Sequence, residues 1–249
     1  MRRHNLAAVL GRLHLVGPMT RSELATQTGL NRSTIRDLIG ELSELRLVVE
    51  SPGSPTSGPG RPSSIARVSP EGAVVLAIEL EVDSIAVATV GLGGHIFGEF
   101  REPNPADNSP DDVVARIVRI SRPLEKGLPR QHQLIGAGVA VAGVVRRADG
   151  FVHMAPNLGW RDVPIGQTVR DRLGLDLVRV ANEADLGALG AFRRGAARQS
   201  RHVIFVAGEV GVGIGVIQEG SPMLGTSGYA GEAGHTMVKP EGRECRCGS

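Results

Sequence analysis

Apolar residues near the start of the chain recur every three to four positions, the spacing of one face of a helix. Gly17-Pro18 ends the first run, and a capping box from Thr20 to Glu23 predicts a second helix that ends near Gly29. Asn31 is placed to cap a third helix. The first helix is expected to bury Leu6, Val9, Leu10 and Leu13, and the third Ile35, Leu38, Ile39, Leu42 and Leu45.

This pattern favours a winged helix-turn-helix domain over residues 1–68. Two helices joined by a tight turn that contains glycine form a helix-turn-helix, and β-prone residues at 48–50 and 65–68 predict a hairpin, the wing, after them. In such domains the recognition helix, here the third, enters the major groove of DNA. The short polar and guanidinium side chains on its outward N-terminal part, which suit phosphates and base edges, are Arg32, Ser33, Thr34 and Arg36.

From residue 69 onward, runs of valine, isoleucine and alanine are separated by turn residues, which predicts an α/β domain over residues 69–249. Helical spacing returns in three places within it. The predicted strands cover 73–80, 84–90, 95–101, 134–145, 177–180, 203–206 and 213–217, and the predicted helices start at 109, 164 and 184.

The net positive charge of the chain lies in the N-terminal domain. Residues 1–67 hold nine arginines, no lysine and five acidic residues, whereas the rest of the chain holds 19 basic and 21 acidic residues. A basic module on a near-neutral body is the electrostatic pattern of a nucleic-acid-binding protein. A merely solvated face and a helical bundle that binds protein are the alternatives, and the helix-turn-helix pattern favours operator DNA as the partner.

Gly58-Pro59-Gly60-Arg61-Pro62 lies inside the predicted wing. Proline and glycine keep a backbone extended and slim, so Arg61 could lie in a narrow minor groove, where the potential is most negative. A flexible linker is the alternative, because the segment is rich in glycine, proline and serine.

The composition of the chain helps to predict its cellular compartment. Apolar residues make up 41% of the chain, yet no apolar run approaches the roughly 20 residues of a membrane span, and the start does not resemble a signal peptide. Two cysteines in such a chain favour reduced thiols or metal ligands over a disulfide framework. We therefore expect a cytoplasmic protein with no membrane partner.

Cys245 and Cys247 are separated by one residue, a spacing that strains a disulfide but lets two thiolates share a zinc ion. His235 supplies a third ligand in this hypothesis. A closed structural zinc site needs four ligands, so the fourth is expected beyond Ser249 or as a water, and the site is expected to be incomplete in this chain. Two thiols without a metal are the alternative.

Four sequence blocks precede the two cysteines, in the order Pro156-Asn157-Leu158-Gly159-Trp160, Asn182-Glu183-Ala184-Asp185, Gly211-Val212-Gly213-Ile214-Gly215 and Gly231-Glu232-Ala233-Gly234-His235. With Cys245-Arg246-Cys247-Gly248, the series resembles the ROK family of bacterial sugar-responsive repressors and sugar kinases. The resemblance implies an actin-like (ribonuclease H-like) domain, with a first lobe at about 69–199 and a second at about 200–249. Because the family's motif continues to a further cysteine, it also implies a chain truncated within the zinc motif, with an incomplete second lobe.

The resemblance raises the question of kinase activity. ROK kinases hold phosphates with an Asp-x-Gly-Gly-Thr loop and a Gly-Thr-Gly segment, and use the Asp of an Asn-Asp pair as catalyst. The matching positions here are Glu79-Leu80-Glu81-Val82-Asp83, Gly211-Val212-Gly213 and Glu183. Three carboxylates would repel phosphate anions where phosphoryl transfer needs donors. We therefore expect that the protein is not an enzyme.

Without a phosphate-binding loop, the resemblance still implies a sugar pocket, because Asn, Glu and His side chains suit sugar hydroxyls. The residues that it implies are Asn157, Asn182, Glu183, Glu232 and His235, each of which could instead serve a turn or a cap. We expect a dimeric or larger homo-oligomeric repressor whose operator affinity responds to a sugar or sugar phosphate. The alternatives are a ROK-type sugar kinase and a DNA-binding module whose body only oligomerises.

Overall fold

The computed structural model describes residues 1–53, 64–104, 109–128, 132–208, 210–226 and 229–242. The helices are α1 Arg2–Val16, α2 Arg21–Thr28, α3 Arg32–Glu44, α4 Pro110–Lys126, α5 Ile165–Leu173 and α6 Glu183–Arg193. The strands are β1 Met19–Thr20, β2 Val48–Ser51, β3 Ile65–Val68, β4 Val74–Leu80, β5 Ser84–Gly91, β6 Ile96–Pro103, β7 Leu134–Val141, β8 Val144–Arg146, β9 Phe151–Ala155, β10 Trp160–Val163, β11 Val178–Asn182, β12 Val203–Gly208, β13 Val212–Gln218 and β14 Ser221–Pro222. None of the helices in these ranges has both the length and the apolar character that crossing a membrane requires.

Helices α1, α2 and α3 pack around one apolar cluster, as their spacing predicted. The cluster includes Leu13 of α1, Leu24 of α2 and Ile35 of α3, all buried. The predicted capping box is formed: the Thr20 N–H donates to Glu23 Oε2 at 2.7 Å, and the Glu23 N–H donates to Thr20 Oγ1 at 3.2 Å. These bonds satisfy N–H groups that the first turn of α2 leaves without helical partners.

Leu45 departs from the prediction. It was expected on the buried face of α3, but it is 56% exposed. The helix ends at Glu44, so Leu45 is the capping residue, and the chain then reverses at Arg46, which has a φ of 58°. Because of this reversal the following Leu47 packs against the cluster instead.

The predicted hairpin is present. β2 and β3 pair antiparallel from Val48 opposite Val68 to Ser51 opposite Ile65, and β1 pairs with the other edge of β3. The residues that join β2 to β3 include 54–63, so the predicted Arg61 arm lies outside the described residues.

A five-stranded sheet in the order β11-β7-β4-β5-β6 follows, giving the mixed α/β architecture that was expected. Alternate residues of β4 are buried, including Leu76, Ile78 and Leu80, which is the period of a strand with one face in the core. β7 and β11 pair in parallel. Helix α4 buries Ile117 and Ile120 and contacts α5.

The run from 134 to 145 was predicted as one strand and is two. β7 ends at Val141, and β8 starts at Val144 in a separate sheet of order β10-β9-β8. Gly143 lies at the break, where an added Cβ would be 2.5 Å from the Met154 carbonyl oxygen. The close approach requires glycine there, and strands β9 and β10, which had no counterpart in the prediction, supply the new partners.

The fourth sheet, β12-β13-β14, packs on α6. Gly215 of β13 makes the packing tight, because an added Cβ would lie 2.1 Å from the Ala184 carbonyl oxygen. Gly187 of α6 does the same on the helix side, since its Cβ would lie 2.4 Å from the Phe205 ring.

The chain divides into two compact units. The first contains Met1–Val75, Thr89–Gly98 and Gly127–Leu134, and the second contains Leu76–Ala88, Glu99–Lys126 and Ile135–Ser249. Within the first unit, the turn after β5 meets the helices: the Gly93 N–H donates to His14 Nδ1 at 3.1 Å.

Candidate functional site

Strand β13 lies near three of the segments that carry implied sugar-binding residues, all within the second unit. An added Cβ on Gly211, just before β13, would lie 3.4 Å from Asn157 Nδ2. On Gly213 it would lie 3.9 Å from Glu183 Oε1, and on Gly234 it would lie 2.0 Å from the Val212 carbonyl oxygen. Three separate segments of the chain therefore approach the glycine-containing stretch from Gly211 to Gly213.

Asn182 and Glu183 are held by the start of α6. Asn182 Oδ1 accepts from the Ala184 N–H at 2.8 Å and the Asp185 N–H at 3.3 Å, while its Nδ2 donates to the Gly143 carbonyl at 3.0 Å. The side chain thus caps the helix and ties it to the turn between β7 and β8. A contact between Asn182 and a sugar stays a prediction beside this capping role.

Glu232 and His235 lie on the short turn that follows. His235 Nε2 is 3.9 Å from Glu232 Oε2, and the two side chains are 40% and 41% exposed. Gly231 holds the turn with a φ of 100°, a conformation that favours glycine. Both polar groups therefore remain accessible beside β13.

Asp185 is a residue that the sequence interpretation did not select. It lies in the first turn of α6 and is only 9% exposed. Burial raises the pKa of its carboxyl, the charge of Arg147 opposes that rise, and the charge of Glu232 adds to it. The sequence places Asp185 in the same block as Asn182, but its burial depends on segments far away in the chain.

The segment that matches the kinases' phosphate loop carries an ion network. Arg101 of β6 donates to Glu79 Oε2 at 2.7 Å, to Glu81 Oε2 at 2.9 Å and to Ser84 Oγ at 2.6 Å. Ser84 Oγ also donates to Glu81 Oε2 at 2.7 Å. A guanidinium and its carboxylates therefore occupy a position at which a phosphate loop would present backbone amides.

The N-terminal turns of α3 present the predicted DNA-contacting residues. Arg32, Ser33 and Arg36 are exposed, and Thr34 is half-buried. Asn31 caps the helix, accepting from the Thr34 N–H at 2.8 Å and from Ser33 Oγ at 2.7 Å. Two arginines four residues apart project from one side of this helix end, which suits contact with an anionic surface.

Two of the three predicted zinc ligands, Cys245 and Cys247, lie in the segment 243–249, outside the described residues. In the part of the chain that the structure describes, no group of three or more His, Cys, Asp or Glu side chains could hold a metal ion. His235 is described, and zinc binding there stays a prediction.

Known proteins are similar to this chain in sequence and in fold. The family model described as "ROK family" matches residues 75–249. The xylose repressor of Bacillus subtilis is 30% identical over 93% of this chain and 60% of its own length. The chain spans about three fifths of the length of the curated relatives of this kind.

Solved structures give the same picture. A ROK family transcriptional regulator described as a homologue of the Escherichia coli MLC protein superposes with a TM-score of 0.79 at 23% identity, covering 100% of this chain and 62% of that one. A ROK family glucokinase from Streptomyces griseus, solved with glucose and AMPPNP, has a TM-score of 0.63 at 31% identity, covering 71% of this chain and 54% of its own. The regulator's fold thus accounts for the helical region as well as the α/β region.

Proposed function

Because this chain belongs to the ROK family, we propose that it is a transcriptional repressor whose operator affinity is controlled by a sugar or sugar phosphate. One observation carries the proposal: a capped third helix with exposed arginines, followed by a hairpin, precedes the ROK domain in the same chain. The match to the xylose repressor supports it, since 93% coverage necessarily includes most of residues 1–68.

On the DNA side, Arg32, Ser33, Thr34 and Arg36 contact the operator from α3, and Arg61 enters the minor groove from the wing. A homodimer places two such helices on a two-fold symmetric operator. Light scattering of the purified chain measures that stoichiometry directly.

On the effector side, Asn157, Asn182, Glu183, Glu232 and His235 pair with sugar hydroxyls. The ligand changes operator affinity because it binds two arrangements of the protein unequally. D-Xylose is the first sugar to test, since it gives the relatives their name.

The test is an operator-binding titration, by fluorescence anisotropy, with DNA from upstream of the gene and a panel of sugars. We expect one sugar to weaken operator binding at least tenfold without unfolding the protein. Tight operator binding that responds to no sugar would favour the alternative, a DNA-binding module with a body that only oligomerises.

We further propose that the protein does not transfer phosphate. The support is the ion network of Arg101 with Glu79 and Glu81, because the resemblance matches these carboxylates to the kinases' phosphate loop, where a nucleotide's anionic groups need donors. Incubation with ATP, Mg²⁺ and the same sugars should release no ADP above the protein-free rate. Measurable turnover would instead establish a sugar kinase.

Zinc belongs to the proposal as a structural ion whose protein ligands are His235, Cys245 and Cys247. If a water takes the fourth position of such a site, the metal should exchange readily. Elemental mass spectrometry before and after dialysis against a chelator distinguishes a retained ion from one that is lost.

A further inference from the structure

An ion pair joins helix α2 to the hairpin of β2 and β3. Arg21, the first residue of α2, donates from Nε to Glu50 Oε1 at 2.9 Å, and a terminal nitrogen of the same guanidinium donates to Glu50 Oε2. The side chains of Arg21 and Glu50 are 34% and 25% exposed. Two parallel bonds between one guanidinium and one carboxylate fix their geometry, unlike most ion pairs on a protein surface. The pair therefore holds the helix and the hairpin in one relative position.

The register of the hairpin explains why Glu50 faces the helices. Glu50 lies opposite Ala66, and Val48 lies opposite Val68. Residues directly opposite one another, and residues two apart on a strand, share a face of the sheet. Val48 and Ala66 are buried in the apolar cluster, so Glu50 continues the face of the hairpin that packs on the helices. A carboxylate on this face meets the positive end of α2 and the guanidinium of its first residue.

The apolar cluster holds only the base of the hairpin. Val48 and Ala66 belong to the cluster, whereas Ile65, opposite Ser51 at the end of the described pairing, does not. On the β2 side, the ion pair extends the connection to the helices beyond the cluster. Helix α2 also packs against α3. The ion pair consequently sets the hairpin relative to α3, the helix that is proposed to contact DNA.

We propose that Glu50 is a positioning residue for operator recognition, which acts through Arg21 without touching the DNA. It holds the hairpin where hairpin and α3 meet one operator together. A protein that contacts DNA through two elements binds more tightly when both are held in place beforehand, because a loose element loses conformational freedom on binding. The inference rests on the proposed function and adds to it a residue outside the contact surface.

Simple electrostatics predicts the opposite effect for the charge of Glu50. A carboxylate on a DNA-binding module repels phosphates, and this one also occupies a guanidinium that could pair with a phosphate. If Glu50 did no more than this, removing its charge would tighten binding to any DNA. Positioning predicts weaker binding to the operator in spite of the added net positive charge. The sign of the change therefore separates the two roles.

The experiment is an anisotropy titration of the full chain with two duplexes of equal length, at one salt concentration. One duplex is the tightest-binding segment from upstream of the gene, and the other is its shuffled sequence. Glu50→Gln keeps the shape of the side chain and removes its charge. It should weaken binding of the upstream duplex roughly 3- to 10-fold and should not weaken binding of the shuffled duplex.

The matched control is Glu41→Gln. Glu41 of α3 accepts a hydrogen bond from Arg2 Nε of α1 at 2.7 Å, so this variant also removes a carboxylate charge from an Arg–Glu pair, but one that does not involve the hairpin. It should weaken binding of neither duplex. A loss of operator affinity equal to that of Glu50→Gln would show that the hairpin has no special part in the effect, and would overturn the inference.

Exchanging the two charges tests whether the pair itself matters. The double variant Arg21→Glu with Glu50→Arg keeps the net charge and an ion pair at the same place, and should bind the upstream duplex within about threefold of the parent. Melting temperatures identify the variants that remain folded. A folded double variant that does not regain affinity would make Arg21 a phosphate contact and overturn the inference.

Two further outcomes separate this inference from the proposed function. If Glu50→Gln leaves binding of the upstream duplex unchanged, tightens it, or weakens both duplexes equally, Glu50 does not position the hairpin, and a sugar-responsive repressor still stands. If the parent protein does not distinguish the upstream duplexes from the shuffled one, the proposed function fails and the inference fails with it.

Discussion

Arg36 lies in the second turn of α3 with 64% of its side chain exposed. Its Nε is 3.2 Å from Asp37 Oδ1. So exposed an ion pair contributes little to stability, which leaves the guanidinium available to a base edge or a phosphate. The distinction between those two partners can be measured.

If Arg36 contacts a base edge, Arg36→Ala should cost about 1 to 3 kcal/mol on the operator and much less on random DNA. Arg172→Ala, at an exposed arginine of α5, is the control and should change neither affinity. Equal losses on operator and random DNA, measured by anisotropy at one salt concentration, would assign Arg36 to a phosphate instead.

Glu232 and Asn157 lie on different segments near β13, and neither is part of α3, the helix proposed to contact DNA. Glu232→Gln and Asn157→Ala should each abolish release of the operator by sugar, because a site built to pair hydroxyls loses affinity when a partner is missing. Operator affinity without sugar should stay within twofold of the parent. Glu241→Gln provides the control, and sugar release that persists in both site variants would show that the pocket lies elsewhere.

Helix α6 and strands β12 and β13 fit together through glycines, which makes their packing testable by single methyl groups. Gly187 and Gly190 are three residues apart on α6, and a Cβ on Gly187 would meet the Phe205 ring whereas one on Gly190 meets nothing within 4 Å. Comparing alanine substitutions at these two glycines therefore separates the effect of packing on stability from the effect of helix propensity.

Gly187→Ala should lower the free energy of unfolding by about 1 to 3 kcal/mol, since the ring must move. Gly190→Ala should raise it by roughly 0.5 to 1 kcal/mol, because alanine favours the helix and the space is open. Urea denaturation followed by circular dichroism measures both. Similar changes in the two variants would mean that α6 does not lie against Phe205.

The parts of the fold that the sequence predicts are those set by residues close together in the chain. The capping box at Thr20 and the alternation in β4 are set by neighbours in the chain, and both appear as expected. The break at Gly143 was missed because it depends on the Met154 carbonyl of another strand. Asp185 was missed for the same reason, since its burial and its charged neighbours come from distant segments.

Across the molecule, the first compact unit is built from three separated stretches of chain, of which the helical region is only one. The domain boundary at residue 68 stays a prediction, and the compact unit itself continues to Val75 and includes Thr89–Gly98. The contact of Gly93 with His14 is one of the bonds that hold the added stretch.

His14→Ala should therefore destabilise the first unit by about 1 kcal/mol, the usual value of a lost hydrogen bond. His4→Ala, at an exposed histidine of the same helix, makes the same change in helix propensity without that contact and serves as the control. Hydrogen exchange of the α1 amides resolves the difference, and equal protection in the two variants would contradict it.

The turn at Gly93 has a consequence for how chains of this kind can diverge by recombination. A recombination event that exchanges only residues 1–75 would join new helices to a turn shaped for others. The imidazole of His14 would no longer lie opposite Gly93, and another side chain would replace Val68, which lies 3.0 Å from where a Cβ on Gly93 would be. We therefore expect such an exchange to cost less stability when residues 89–98 are inherited together with the helices.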